Sequence, residues 1–135
     1  MADARQRNIV LILARDFASR LATAVFLVDE EGDVIYFNEA AEQLLGQRFV
    51  EGEEMGAEEW STVFKPTDLD GRRLAIEELP LGEAIIHRRP AYGEVRIEGA
   101  DGVARLIAAA GIPLFSHEDE FVGGLAILWE SAEAP

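Results

Sequence analysis

The sequence predicts an α+β domain: a five-stranded antiparallel sheet with helices on one face, preceded by an N-terminal amphipathic helix. Two observations carry this. Short β-prone runs at 24–28 and 34–37 flank an acidic, glycine-containing turn and read as a hairpin. Three further strand-like runs, 93–98, 103–114 and 121–129, close the chain, with turn residues between them. Helical signals fill the interval. The order helix, β-β, several helices, β-β-β makes a mixed domain with one sheet.

Taken in order, the first helix is expected from Asp3 to about Ala22. Ile9, Leu13 and Phe17 are spaced by four, and Val10, Phe17 and Leu21 extend that stripe. Asp3 suits an N-cap. Leu11 and Ile12 widen the apolar surface and suggest a second contact partner for the helix. Asn38 caps a helix over 39–45, with Glu39 and Glu42 near its positive end and Gly46 closing it. Trp60, Val63 and Phe64 suggest one short helix over the core. A further helix starts at Pro80, carries Leu81, Ala84 and Ile85 on one face, and stops before Pro90. In the strand 93–98, Val95 and Ile97 share one face.

Composition bounds the function. The 135 residues amount to one domain. Twelve basic against 26 acidic residues leave a formal charge of −14, which argues against nucleic acid and anionic lipid as partners. No apolar run approaches the ~20 residues of a membrane span. The six-residue run 9–14 is short for a signal peptide, so the mature protein is expected to start near Met1, in the cytoplasm. There is no cysteine, so disulfides, thiolate metal sites and thiol-linked chromophores are excluded. Asp68-x-Asp70-Gly71 looks superficially like a calcium loop, but its twelfth position is Leu79 rather than glutamate, and it reads as a turn.

The stretch Leu27-Val28-Asp29-Glu30-Glu31-Gly32-Asp33-Val34-Ile35-Tyr36-Phe37-Asn38-Glu39-Ala40-Ala41-Glu42-Gln43-Leu44-Leu45-Gly46 resembles the opening signature of a PAS domain. Asp70-Gly71-Arg72, Leu79-Pro80-Leu81, Gly93-Glu94, Asp101-Gly102, Pro113-Leu114 and Gly123-Gly124 follow in that family's order. The resemblance implies a dimerisation helix over 1–22, a PAS domain over 23–131 and a short tail over 132–135. It implies a sensor or signalling module, not an enzyme, that binds a small, mostly apolar ligand between sheet and helices. The first helix resembles the N-terminal cap that such domains use to dimerise. Output then runs through a homodimer or through a separate signalling protein in trans.

The expected pocket walls are Phe26, Val28, Phe37, Ala41, Leu45, Trp60, Phe64, Ile85, Val95, Ile97, Ile107, Ala109 and Leu125, with Ile35 and Ile127 also read as inward. The same residues serve equally as an ordinary filled core. The expected dimer surface is Ile9, Val10, Leu13, Phe17, Leu21 and Trp129. Some PAS domains hold haem through a helix histidine. His87 stands at the end of its helix beside Arg88 and Arg89, where a solvent-facing cation is the better reading, so haem is disfavoured. Cysteine-linked flavin and thioester chromophores are excluded, and non-covalent flavin stays open. No metal site is expected. Two rival readings remain: a protein-interaction or dimerisation module with a filled core, marked by a pocket below ~300 Å³, and a ketosteroid-isomerase-like enzyme, for which no inward carboxylate is found by spacing.

Overall fold

The computed structural model describes residues 4–53, 55–116 and 119–131, with side chains from residue 9 onward. The expected N-cap Asp3 and the tail 132–135 lie outside the described residues. Helix α1 runs Ala4–Ser19, three residues shorter at its C-terminus than expected. Strands β1 (Ala24–Asp29) and β2 (Val34–Phe37) form the hairpin. Asp29 closes its turn by accepting from the N–H groups of Glu31 and Asp33 at 2.9 and 3.0 Å. Helix α2 (Glu39–Leu45) begins at Asn38 and ends at Gly46, whose φ of 67° is the left-handed conformation that suits glycine. Helix α3 (Ala57–Val63) and the single-turn 3-10 helix α4 (Ile76–Glu78) follow; the latter had no clear sequence signal. Helix α5 is Pro80–His87, with proline at its first position. Strands β3 (Ala91–Glu98), β4 (Ala104–Phe115) and β5 (Phe121–Glu130) complete the sheet.

The sheet is antiparallel with order β2-β1-β5-β4-β3, so the first hairpin sits beside the last strand. Its inner face carries Phe26, Val28, Val95, Ile97, Ile107 and Ala126, packed under residues of α2, α3 and α5. Its outer face carries Val25, Leu27, Leu125, Ile127 and Ile112, packed against Leu11, Ala14, Ala18 and Leu21. The α1 segment thus lies across the sheet from the other helices.

Three residues depart from the expected facing. In β2, Leu27 pairs with Tyr36 but Val28 pairs with Val34, so Ile35 is the extra residue of a bulge. Val34 and Phe37 both face the inner core, while Ile35 joins the outer cluster. In β5, Leu125 pairs with Leu27 and shares its outer face. Leu125 and Ile127 are therefore not inner residues. The inner row is Gly124, Ala126 and Leu128 because α5 lies close there: a Cβ on Gly124 would meet Ile85 Cγ2 at 2.6 Å.

Candidate functional site

Between the sheet and the short helices lies an apolar cavity of about 80 Å³. Of the expected wall residues, Phe26, Leu45, Trp60, Phe64, Val95, Ile97, Ile107 and Ala109 line it. Val28, Phe37 and Ala41 belong to the same buried cluster without lining the space, and Ile85 packs against that cluster. Leu125 is on the opposite face of the sheet, as described above. Pro66, Leu79, Pro80, Leu81, Ala126 and Leu128 also line the cavity and were missed as wall residues. For Leu81 the signal was present in the helix periodicity. For Pro66 and Leu79, in irregular chain, there was none.

Trp60 is aimed by its own polar edge. Its Nε1–H donates to the Gly32 carbonyl at 2.7 Å, which ties α3 to the β1–β2 turn and turns the indole body inward. Phe26 and Phe37 stack with ring centres 5.0 Å apart, and Phe49 meets Phe37 edge-on at 5.3 Å. Among the described residues, no titratable side chain lines the cavity. His87 is exposed at the last turn of α5 and is not among the lining residues.

Asn38 is the main polar group of the interior, at 2% exposed. Its Oδ1 accepts from Val25 N and Ala41 N, both at 3.0 Å. Its Nδ2 donates to the carbonyls of Ala18 at 2.9 Å and Thr23 at 2.8 Å, with Leu21 O at 3.4 Å. One amide therefore joins the end of α1, the start of β1 and the first turn of α2.

On the outer side, α1 is held to the sheet by Arg15. Its guanidinium lies 4.6 Å from the Tyr36 ring centre and binds both carboxylate oxygens of Glu51 at 3.1 and 2.7 Å. The hydrogen bond with Glu51 raises the Arg15 pKa and, from the other side, lowers that of Glu51. The opposite flank of α1 is bare: Ile9, Ile12, Leu13 and Phe17 are 49, 62, 63 and 60% exposed. Of the expected dimer residues, Ile9, Leu13 and Phe17 thus share an open flank and Val10 is half-buried. Leu21 falls beyond the helix end and packs into the outer cluster instead, because the chain turns down toward β1 there. Trp129 is 42% exposed on the outer face, its ring centre 6.1 Å from that of Tyr92.

Two polar clusters flank the sheet. Carboxylate oxygens of Asp29, Glu31 and Asp33 lie within 4.8 Å of one another, with Asp29 engaged in its turn. Arg105 is paired with Glu130 at 3.1 Å and Asp101 at 3.3 Å beside an open cleft between α2 and the ends of β4 and β5. No helix of the described residues is long and apolar enough to cross a membrane.

The architecture is an antiparallel sheet roofed by short helices on one face, with a helix on the other. Residues 15–80 match the family model described as "PAS domain", which supports a place for the chain in that family. The solved structures agree on the fold. The PAS domain of the fruit-fly ELK potassium channel superposes with a TM-score of 0.70 at 12% identity, covering 90% of this chain and 96% of that one. The LOV protein of Rhodobacter sphaeroides gives 0.68 at 17%, covering 96% and 69%. The PAS domain of Bordetella pertussis BvgS gives 0.60 at 18%, covering 91% and 86%. No curated protein matches the chain.

Proposed function

We propose that this PAS domain is a non-enzymatic signalling module whose output surface is the bare flank of α1, engaged by a second copy or by a separate signalling protein. The observation that carries this reading is the run Ile9, Ile12, Leu13 and Phe17, each about half or more exposed on one flank of a helix whose other flank is already packed. Such a contiguous apolar strip on a chain of charge −14 marks an interaction surface. Asn38 and Arg15 tie that helix to the sheet and core, so a change at either face reaches the other. The cavity supports the same priority. At about 80 Å³ it falls far below the ~300–1,000 Å³ of ordinary ligand sites. A flavin or haem would require the roofing helices to move apart.

A second reading rests on the same cavity. Its wholly apolar wall fits a ligand of a few heavy atoms with no charge, held between sheet and helices. The wall has no group that could move a proton, which supports binding rather than catalysis.

The test is sedimentation analysis of the full chain and of a Leu13→Glu/Phe17→Glu variant. The expected result is a dimer whose association is at least roughly tenfold weaker in the variant, with unchanged circular dichroism. A monomeric wild type, or a variant that dimerises as well as wild type, overturns the α1 flank as a self-association surface and leaves only a separate signalling protein as its occupant. Native mass spectrometry with organic extraction of the purified protein tests the ligand reading. It fails if no bound species is found and no apolar compound raises the melting temperature.

A further inference from the structure

β3 is an edge of the sheet, at the far side from the strands that α1 chiefly covers. Its outward backbone groups are engaged over only part of its length. Arg96 exchanges both its bonds with Thr67, each at 2.9 Å, and Glu98 N–H donates to the Phe64 carbonyl at 2.8 Å. Backbone groups alternate in direction along an antiparallel strand, so if those of Arg96 and Glu98 point out, those of Glu94 and Tyr92 point out as well. Among the described residues, no backbone group meets Tyr92 or Glu94 on that side. The opening is short. Pro90, which has no N–H, bounds it at one end, and the Thr67 segment bounds it at the other. Gly93 faces inward, toward Pro80. Tyr92 and Glu94 therefore share the outer face, Tyr92 being 66% exposed and beside Trp129.

We propose that this window pairs with the same window of a second copy, antiparallel about a two-fold axis through Gly93, so that two sheets join edge to edge. The bounds of the window select the partner and the register. With Tyr92 opposite the second copy's Glu94, and Glu94 opposite its Tyr92, every open N–H and C=O is used in four hydrogen bonds. Moving the axis to Glu94 sets two carboxylates against each other and brings Tyr92 against Arg96, whose groups Thr67 already holds. Moving it to Tyr92 sets Glu94 against Pro90, which has no donor to offer. A longer foreign strand meets the same two obstacles, whereas the self-pairing ends where they begin. The contact is isologous and separate from the α1 flank. It brings together two copies of charge −14, so salt strengthens it by screening. A basic peptide on the same edge would show the opposite salt dependence.

The experiment uses the full chain in the Leu13→Glu/Phe17→Glu background, so that the α1 flank contributes nothing. Sedimentation equilibrium at low and high salt is expected to show a weak dimer that tightens with salt. Adding Glu94→Pro is expected to weaken it by at least roughly tenfold. That N–H points away from β4, so the internal ladder is kept, and the side chain takes with it only the exposed bond from Ser131 Oγ to Glu94 Oε2. Amide hydrogen exchange of the unsubstituted chain supplies a readout that needs no variant: Tyr92 and Glu94 amides gain protection as concentration rises. The proposal is overturned if the α1 variant is monomeric at high salt, if Glu94→Pro dimerises equally, or if those two amides exchange freely at all concentrations. An α1 variant that keeps a full-strength dimer, lost on Glu94→Pro, overturns the α1 flank as a self-association surface while supporting this one.

Discussion

Replacing Asn38 by alanine tests the idea that one buried amide joins α1 to the core. The substitution leaves Val25 N and Ala41 N without their acceptor and removes the amide donor from the Ala18 and Thr23 carbonyls, of which Ala18 O keeps the Leu21 N–H at 3.1 Å. Two buried N–H groups cost about 1–3 kcal/mol each when unpaired. The Ala41 share includes a lost N-cap, which is typically ~1 kcal/mol on its own. The Thr23 carbonyl, in an exposed residue, recovers part of its loss from water, and the buried Ala18 carbonyl keeps its bond from Leu21 N. The sum is about 3–5 kcal/mol, a large fraction of the ~5–15 kcal/mol that holds a domain of this kind together. At ~3–5 °C per kcal/mol for a chain of this length, the melting temperature drops by ~10–20 °C. Urea unfolding followed by tryptophan fluorescence measures the free energy directly. Asn38→Asp separates the two halves of the network. It keeps both acceptor bonds but turns a carboxylate oxygen toward three carbonyls. Folding then raises the pKa of that carboxyl. The penalty is present at neutral pH and disappears as pH falls below the unfolded value of about 3.9. An alanine variant within about 1 kcal/mol of wild type would refute the reasoning, as would an aspartate variant whose deficit does not shrink in acid.

Two further outcomes are expected. A Cβ at Gly111 would land on the Pro80 carbonyl oxygen and 2.9 Å from Leu81 Cα, so Gly111→Ala must lift α5 off β4, at ~1–3 kcal/mol in urea unfolding; Gly93→Ala, whose nearest neighbour is Pro80 Cγ at 3.5 Å, is the control and stays near wild type. Asp101 is held below the usual carboxylate range by the Val103 N–H and then by Arg105, and Asp68 and Glu78 are likewise lowered, by backbone N–H and by Arg72 respectively. A lowered folded pKa gives stability that is present above the unfolded value near 4 and is lost as pH falls through the folded one. The gap in urea midpoint between wild type and Asp101→Asn should accordingly close in acid; a gap that persists or widens there contradicts the assignment.

Local chemistry made much of the architecture legible. The Asp29–Asp33 turn, the Asn38 cap, Gly46 at the end of α2 and Pro80 at the start of α5 each have a reason that acts within a few residues. β3 was readable because only one of its faces is covered, so Val95 and Ile97 alternate with Glu94 and Arg96. The strand order β2-β1-β5-β4-β3 had no local signal and came from the tertiary pairing.

The amino-acid sequence by itself determined which segments become strands and helices, the placement of the turns and caps, and the apolar residues available for a core. Only the tertiary structure decided which face each of those residues occupies. β1 and β5 are covered on both sides, by α1 on one and the short helices on the other, so their apolar residues run without alternation and carry no parity. Parity came from pairing across the chain: Leu27 against Leu125 sent that leucine outward, and the bulge at Ile35 reversed another. Which flank of α1 packs, how little room is left beneath the roof, and that β3 keeps a short open edge are likewise sums over distant segments. No local stretch of sequence contains them.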